Sequence, residues 1–329
     1  MSDKQSHKLI TQSDQAVVSN INVSKIIANT GQEATIRYLE FFAVTIRNKN
    51  TRIAYITACK SFFSYCSNIG LVKLDEIEPL HAAAYIEFMT NQYEAPTVKQ
   101  HLAALRMMFD WMVTGQFIAI NPAHAVRGPK QSNLRGKTPV LTPKETRSIL
   151  DAIDLKNEVA YRDRALIALM AFSFARVSAA LSCCVKDYVP RGKRWWLVLK
   201  EKGGKIHEMP VHHTLEQYLD EYLDYANIKD EPSGFIFRAA NGRSGKLSTR
   251  PLTRNKAWEM VKRRTAAAGI KSNVTNHSFR ATGITAYLNA GGSLEHAQEM
   301  AAHSSPRTTK LYDRTKDGVS LDEVERIVI

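Results

Sequence analysis

Five segments in the second half of the chain carry residue types suited to handling an anion. Arg176 follows a long apolar run in ARVSAALSCC. An arginine on the buried side of such a run needs an anionic partner, because an unpaired buried charge is costly; the plainer reading is a surface charge at a helix end. Lys202 lies in KEKGGKIHEMP beside a tight turn, which can hold its ammonium out into a groove; alone it reads as a solvated turn residue. His277 and Arg280 fall in NHSFRATG. On a helix, positions i and i+3 share a face, so both side chains converge on one spot, and a helix N-terminus attracts phosphate to it. His303 lies in MAAHSSPRTTKLYDRT, in a loop before a helix that Ser305 caps and Pro306 opens. Tyr312 follows nine residues later on that helix, where a tyrosine is ordinarily a packing residue.

The composition points the same way. A formal net charge of +13 favours an anionic partner, and nucleic acid comes first because its phosphates form a dense charge ladder. The N-terminal stretch MSDKQSHKLITQSDQ has no apolar signal core. The longest apolar run, Ala165 to Ala175, is about half of the roughly 20 residues a membrane span requires. The four cysteines, Cys59, Cys66, Cys183 and Cys184, show neither CxxC pairing nor zinc-ligand spacing and read as free thiols in a reducing cytoplasm.

Elements must position these groups. Residues 1 to about 30 read as a flexible polar lead-in, and residues 31–125 as a helical domain. One apolar stripe there is Ile36, Leu39, Phe42 and Ala43; a second is Tyr55, Cys59, Phe62, Phe63 and Cys66, ended by Gly70 as a left-handed cap. Pro79 opens a third helix, and Thr97 to Val113, with Leu102, Leu105, Phe109 and Met112 inward, is a fourth; Asn121-Pro122 closes the region. Residues 126–141 read as a basic linker. The second domain, residues 142–329, opens on a capping box of Thr142, Pro143 and Glu145. It continues with a buried helix over Asp163 to Phe174 and a hairpin of Arg194–Lys200 and Ile206–Val211 around Gly203-Gly204. Mostly helices follow, with loops near Glu231-Pro232 and Asn241-Gly242.

Taken in order, the five segments resemble the tyrosine recombinase (phage integrase) family. Its motif set is an arginine, a lysine on a β-hairpin, HxxR, a His or Trp, and a tyrosine; here these fall on Arg176, Lys202, His277 with Arg280, His303 and Tyr312. AHSSPRTTKLYDRT is similar to the family's GHSS…TT…Y ending, with Ala302 in place of the usual glycine. Residues 97–122 resemble the helical core-DNA-binding domain. The likeness covers roughly residues 30 to 320 and implies a mainly α protein. It would have a helical N-terminal core-binding domain and a mixed α/β, mostly helical catalytic domain with a small antiparallel sheet. The family usually has an acidic residue three positions after the first arginine; here Ala179 stands there, and Asp187 is the candidate to take its place.

The resemblance implies a site-specific recombinase. Two guanidinium groups would clamp the non-bridging oxygens of a phosphodiester where many nucleases use metals. Tyr312 would be the nucleophile, with His277 the better candidate base and His303 bonding the phosphate, although the sequence does not separate the two histidines. Lys202 would protonate the leaving 5′ oxygen. Neither metal nor nucleotide cofactor is expected. The implied partners are double-stranded DNA with an inverted-repeat core site, a homo-tetramer on that DNA, and accessory proteins. The tail from about residue 317, with an apolar face of Val319, Leu321, Val324, Ile327 and Val328, either folds back on its own domain, docks on a neighbouring protomer, or ends as an extended strand. The short N-terminal stretch suits a simple two-domain recombinase of mobile DNA or chromosome resolution, bacterial, phage-borne or plasmid-borne, working in the cytoplasm. Two other readings stay open: a type IB topoisomerase-like enzyme, and a DNA-binding protein that kept the fold without catalysis.

Overall fold

The computed structural model describes residues 23–130, 136, 138–201 and 203–313. The chain divides into two compact units, Met1–Ser132 and Asn133–Ile329.

The first unit is helical: α1 (Lys25–Thr30), α2 (Gln32–Glu40), α3 (Lys49–Asn68), α4 (Pro79–Gln92) and α5 (Ala95–Thr114). The helical domain starts earlier than residue 31, because Ile26 and Ile27 on α1 are fully buried and Ser24 caps the helix. The first expected stripe is shifted. A π-helical stretch at Phe41–Thr45 follows α2 and widens the turn, so Phe41 and Phe42 both enter the core with Ala34 and Tyr38, while Ile36 and Ala43 stay half-buried. On α3 the expected face is inward, with Cys59, Phe62, Phe63 and Cys66 buried, and the helix ends at Gly70 with φ +90°. Pro96 sits inside the first turn of α5, which begins at Ala95 rather than Thr97, and Leu102, Leu105, Phe109 and Met112 are all buried. The Asn121-Pro122 turn is held from both sides. Asn121 Oδ1 accepts from Ala123 N at 2.8 Å, and Arg106 Nε donates to Ala123 O at 3.1 Å.

The second unit is built around α7 (Glu158–Phe172), whose residues Ala165 to Met170 are all fully buried. It follows α6 (Pro143–Asp151), which starts in the expected capping box: Thr142 Oγ1 accepts from Glu145 N at 3.1 Å, and Glu145 Oε2 accepts from Thr142 N at 2.8 Å. After α8 (Val177–Ser182), strands β1 (Tyr188–Arg191), β2 (Arg194–Lys200) and β3 (Ile206–Pro210) form an antiparallel sheet in the order β1-β2-β3. Leu197 pairs with Tyr188 on one side and Met209 on the other, and all three turn inward. Then come α9 (His213–Tyr225) and a second hairpin of β4 (Arg238–Ala240) and β5 (Leu247–Pro251), so the expected loop near Asn241-Gly242 is the turn between two short strands. The chain continues through α10 (Arg254–Ala267), α11 (Asn276–Asn289), α12 (Leu294–Met300) and α13 (Pro306–Lys310). Asp163 on α7 is fully buried and accepts from Arg162 Nε at 3.0 Å, Arg263 at 2.9 Å and Arg264 Nε at 2.9 Å, which locks α10 against α7. The fold is mainly helical with small antiparallel sheets, as expected.

Candidate active site

Helix α11 carries two of the expected residues in its first two turns. It can press against the end of α7 because position 283 is glycine: a Cβ there would collide with the carbonyl oxygen of Ala171 and lie 2.8 Å from the Phe174 ring. That close approach sinks Arg280, which is 1% exposed. Its guanidinium donates to the carbonyl oxygens of Phe174 and, at 2.5 Å, Ala301. These two acceptors fix the plane of the group, while its buried Nε has no hydrogen-bond partner. Two of its five guanidinium N–H groups are thereby committed to backbone carbonyls.

Phe174 offers its carbonyl because its backbone is left-handed, with φ +52°. The kink ends the α7 segment and brings Arg176 to the N-cap of α8. Arg176 forms an ion pair with Glu201, the last residue before the β2–β3 turn. Glu201 is an acidic partner the sequence reading missed. Asp187 does not take that part: its carboxylate accepts from the backbone N–H of Cys184 at 2.9 Å and caps a short 3-10 turn. Lys202 lies outside the described residues. The turn around it has the expected glycines, Gly203 and Gly204, at φ +84° and +79°.

His303 follows Ala302, whose φ of +47° is the left-handed conformation that a glycine would adopt without strain. The turn is closed by His303 N donating to Gln298 O at 3.0 Å. His303 Nδ1 lies 2.9 Å from the buried Thr309 Oγ1, and its ring is nearly parallel to that of Tyr312, 7° apart with centroids at 5.9 Å. Tyr312 sits just beyond α13 rather than on it, in a turn closed by its N–H donating to Thr309 O. Ser305 occupies the N-cap position of α13 without a side-chain capping bond. The Tyr312 carbonyl accepts from Thr285 on α11 at 3.0 Å, and its ring packs among Phe174, Ala281 and Ile284. Its phenolic oxygen lies 2.7 Å from His277 Nε2.

The charges around this pair are one-sided. Burial, then Arg280 and Arg176, hold the His277 imidazole below its ordinary pKa, so it is neutral at pH 7. The same causes, with His277 added, push His303 down to about 3. Burial raises the Tyr312 phenol, and Arg280 and Arg176 pull it back. Arg280 itself is lowered to about 10 by burial and by Arg176. The site thus holds a neutral imidazole against a phenol, beneath two guanidinium groups, which suits activation of an oxygen nucleophile toward an anionic centre. Among the described residues there is no cluster of histidine, cysteine and carboxylate groups that could hold a metal ion, and no helix is long and apolar enough to cross a membrane.

Arg176, His277, Arg280, His303 and Tyr312 therefore meet in one place. The phage integrase family model matches residues 139–318, the stretch that contains all of them. The chain belongs to the phage integrase family. It is a tyrosine-type DNA strand transferase of site-specific recombination. Tyrosine recombinase XerD of Chlorobaculum tepidum is 27% identical over 271 residues, 80% of this chain and 85% of the relative. Among solved structures, the XerH recombinase bound to palindromic difH substrate, a post-cleavage complex, matches with a TM-score of 0.71 at 20% identity, over 96% of this chain and 89% of that one. A lambda integrase tetramer bound to a Holliday junction matches with a TM-score of 0.66 at 18% identity, over 92% and 84%. These structural likenesses establish the phage integrase fold.

Proposed function

We propose that this phage integrase family member cleaves and rejoins DNA through a covalent bond between Tyr312 and a DNA phosphate. The observation that carries the reading is the 2.7 Å contact between Tyr312 and a neutral His277 beneath Arg176 and Arg280. His277 takes the phenolic proton as the tyrosine oxygen attacks phosphorus. Arg176 and the uncommitted N–H groups of Arg280 neutralise charge on the non-bridging oxygens. The bond from phosphorus to the 5′ oxygen breaks, and Lys202 protonates that oxygen. The product is a 3′-phosphotyrosine whose bond energy is retained, so a 5′-hydroxyl from another strand can attack it and reseal without ATP. His303 serves the phosphate through Nε2. For that nitrogen to donate, Nδ1 must accept, so the Thr309 hydroxyl is the donor in the contact between them.

The substrate in this reading is a duplex with inverted repeats bound by a homo-tetramer. The net charge of +13 suits it, as do the palindromic substrate of XerH and the Holliday-junction tetramer of lambda integrase. The biological task is integration, excision or resolution of mobile DNA in the cytoplasm. The helical unit from α1 to about residue 125 is the core-binding domain, and residues 142–329 are the catalytic domain. The apolar tail from about residue 317 lies outside the described residues and is the segment we assign to protomer exchange. The test is a nicked suicide duplex built from DNA flanking the gene. A detergent-resistant protein–DNA adduct is expected from the wild type and none from Tyr312→Phe. An adduct that persists in Tyr312→Phe overturns the assignment, and tight binding without any adduct favours the non-catalytic reading.

A further inference from the structure

One carboxylate stands beside the catalytic arginine that the family pattern does not place there. Position 179, where an acidic residue is usual, is a buried alanine. Glu201 is the residue directly after β2, at the start of the β2–β3 turn. Its side chain is 3% exposed and its ion-pair partner is Arg176, whose own side chain is 30% exposed. The backbone of Glu201 is itself fixed at the neck of the hairpin: its N–H donates to Lys205 O at 2.7 Å, and its carbonyl accepts from Gly204 N at 3.2 Å. A buried carboxylate is costly to leave without a cation, so the pair is strongly held.

We infer that Glu201 is the positioning residue for Arg176, supplying from the β2–β3 turn the carboxylate that position 179 lacks. Arg176 is partly solvated and long, with many rotamers open to it; the ion pair selects one and leaves its other N–H groups for the scissile phosphate. The negative charge also offsets the repulsion between the Arg176 and Arg280 guanidinium groups, which the site must hold together before any phosphate arrives. Because Glu201 opens the β2–β3 turn, the same ion pair ties that turn to the start of α8. The inference rests on the Tyr312 reading above.

The test uses the full chain in single-turnover adduct formation on the nicked suicide duplex. Glu201→Gln keeps the shape and removes the charge. Adduct formation is expected to slow about 10- to 100-fold, the range for a misplaced catalytic group, with DNA affinity and melting temperature nearly unchanged. Glu201→Asp keeps the charge and is expected to recover most of the rate. In an Arg176→Lys background, Glu201→Gln is expected to add almost nothing, because it acts through the arginine. A wild-type rate for Glu201→Gln overturns the inference, as does an equal loss in the Arg176→Lys background. So does a loss that tracks unfolding in both Glu201→Gln and Glu201→Asp. A wild type that forms no adduct contradicts the Tyr312 reading, and this inference with it.

Discussion

The phenolic oxygen of Tyr312 lies 2.7 Å from Nε2 of His277, although the two residues are 35 positions apart and on different elements. The contact is made possible by a chain of backbone devices: Gly283 lets α11 approach α7, Thr285 anchors the Tyr312 carbonyl, and the left-handed Ala302 brings the chain round after α12. If His277 is the base, its protonation must stop the reaction. Its pKa is held below that of an ordinary histidine by burial, Arg280 and Arg176, so the acid limb of cleavage should lie at lower pH than an ordinary histidine would give. His277→Ala should cut the single-turnover rate by about 10²- to 10⁴-fold and abolish that acid limb. An unchanged acid limb in the variant would assign it to another group.

His303 makes the fold itself sensitive to acid. Its folded pKa is about 3, against 6.5 for an unperturbed histidine, so between those values the unfolded chain holds the proton and the folded chain does not. The stability it permits is full above pH 6.5 and declines as pH falls toward 3. By pH 5 the loss should approach about 2 kcal/mol. Urea midpoints at pH 7 and pH 5 measure it, and His303→Asn should flatten the difference. Equal slopes in the two proteins would remove His303 as the cause.

Gly283→Ala should be destabilising despite the better helix propensity of alanine. The added methyl collides with Ala171 O and crowds the Phe174 ring at 2.8 Å. Overpacking of this kind costs about 1–3 kcal/mol, while propensity returns about 1. Cleavage should suffer more than DNA binding, since α11 carries His277 and Arg280. A variant more stable than wild type in thermal melting would contradict the close packing.

Ala302→Gly should move the other way. Relief of the left-handed backbone at φ +47° is worth about 1–2 kcal/mol, reduced by about 0.4–1 kcal/mol for the added freedom of glycine in the unfolded chain. The expected result is a small rise in melting temperature with cleavage retained. A fall would mean that the Ala302 methyl makes a favourable contact outweighing the strain.

The sequence was legible wherever chemistry is local. The Thr142 capping box, the Gly70 cap and the β2–β3 hairpin each depend on neighbours in the chain, and each is where the residues indicate. Short strands were not: β1 contains Pro190, and β4 and β5 are too short and polar to show alternation. At the π-helical turn after α2 the core takes Phe41 together with Phe42, where a 3.6-residue period points to Ile36, Leu39, Phe42 and Ala43. In the site, HxxR was readable because positions i and i+3 share a helix face, whereas Arg176, His303 and Tyr312 stood out only together, through the family resemblance. Glu201 was not readable, because its meaning lies in meeting Arg176, 25 positions earlier in the chain. Asp163 likewise carries no local sign of the three arginines that converge on it, two of them about 100 positions along the chain. The signal that could have found Glu201 was its place next to Lys202, in a turn the motif already required to face the site.

The most direct measurement is the identity of the residue that carries the DNA. The wild-type adduct on the suicide duplex would be digested with nuclease and trypsin and the nucleotide-bearing peptide sequenced by mass spectrometry. The expected peptide runs from Leu311 to Arg314 with a 3′-linked nucleotide on Tyr312. A nucleotide on any other residue, or one joined through a 5′ phosphate, would contradict Tyr312 as the nucleophile.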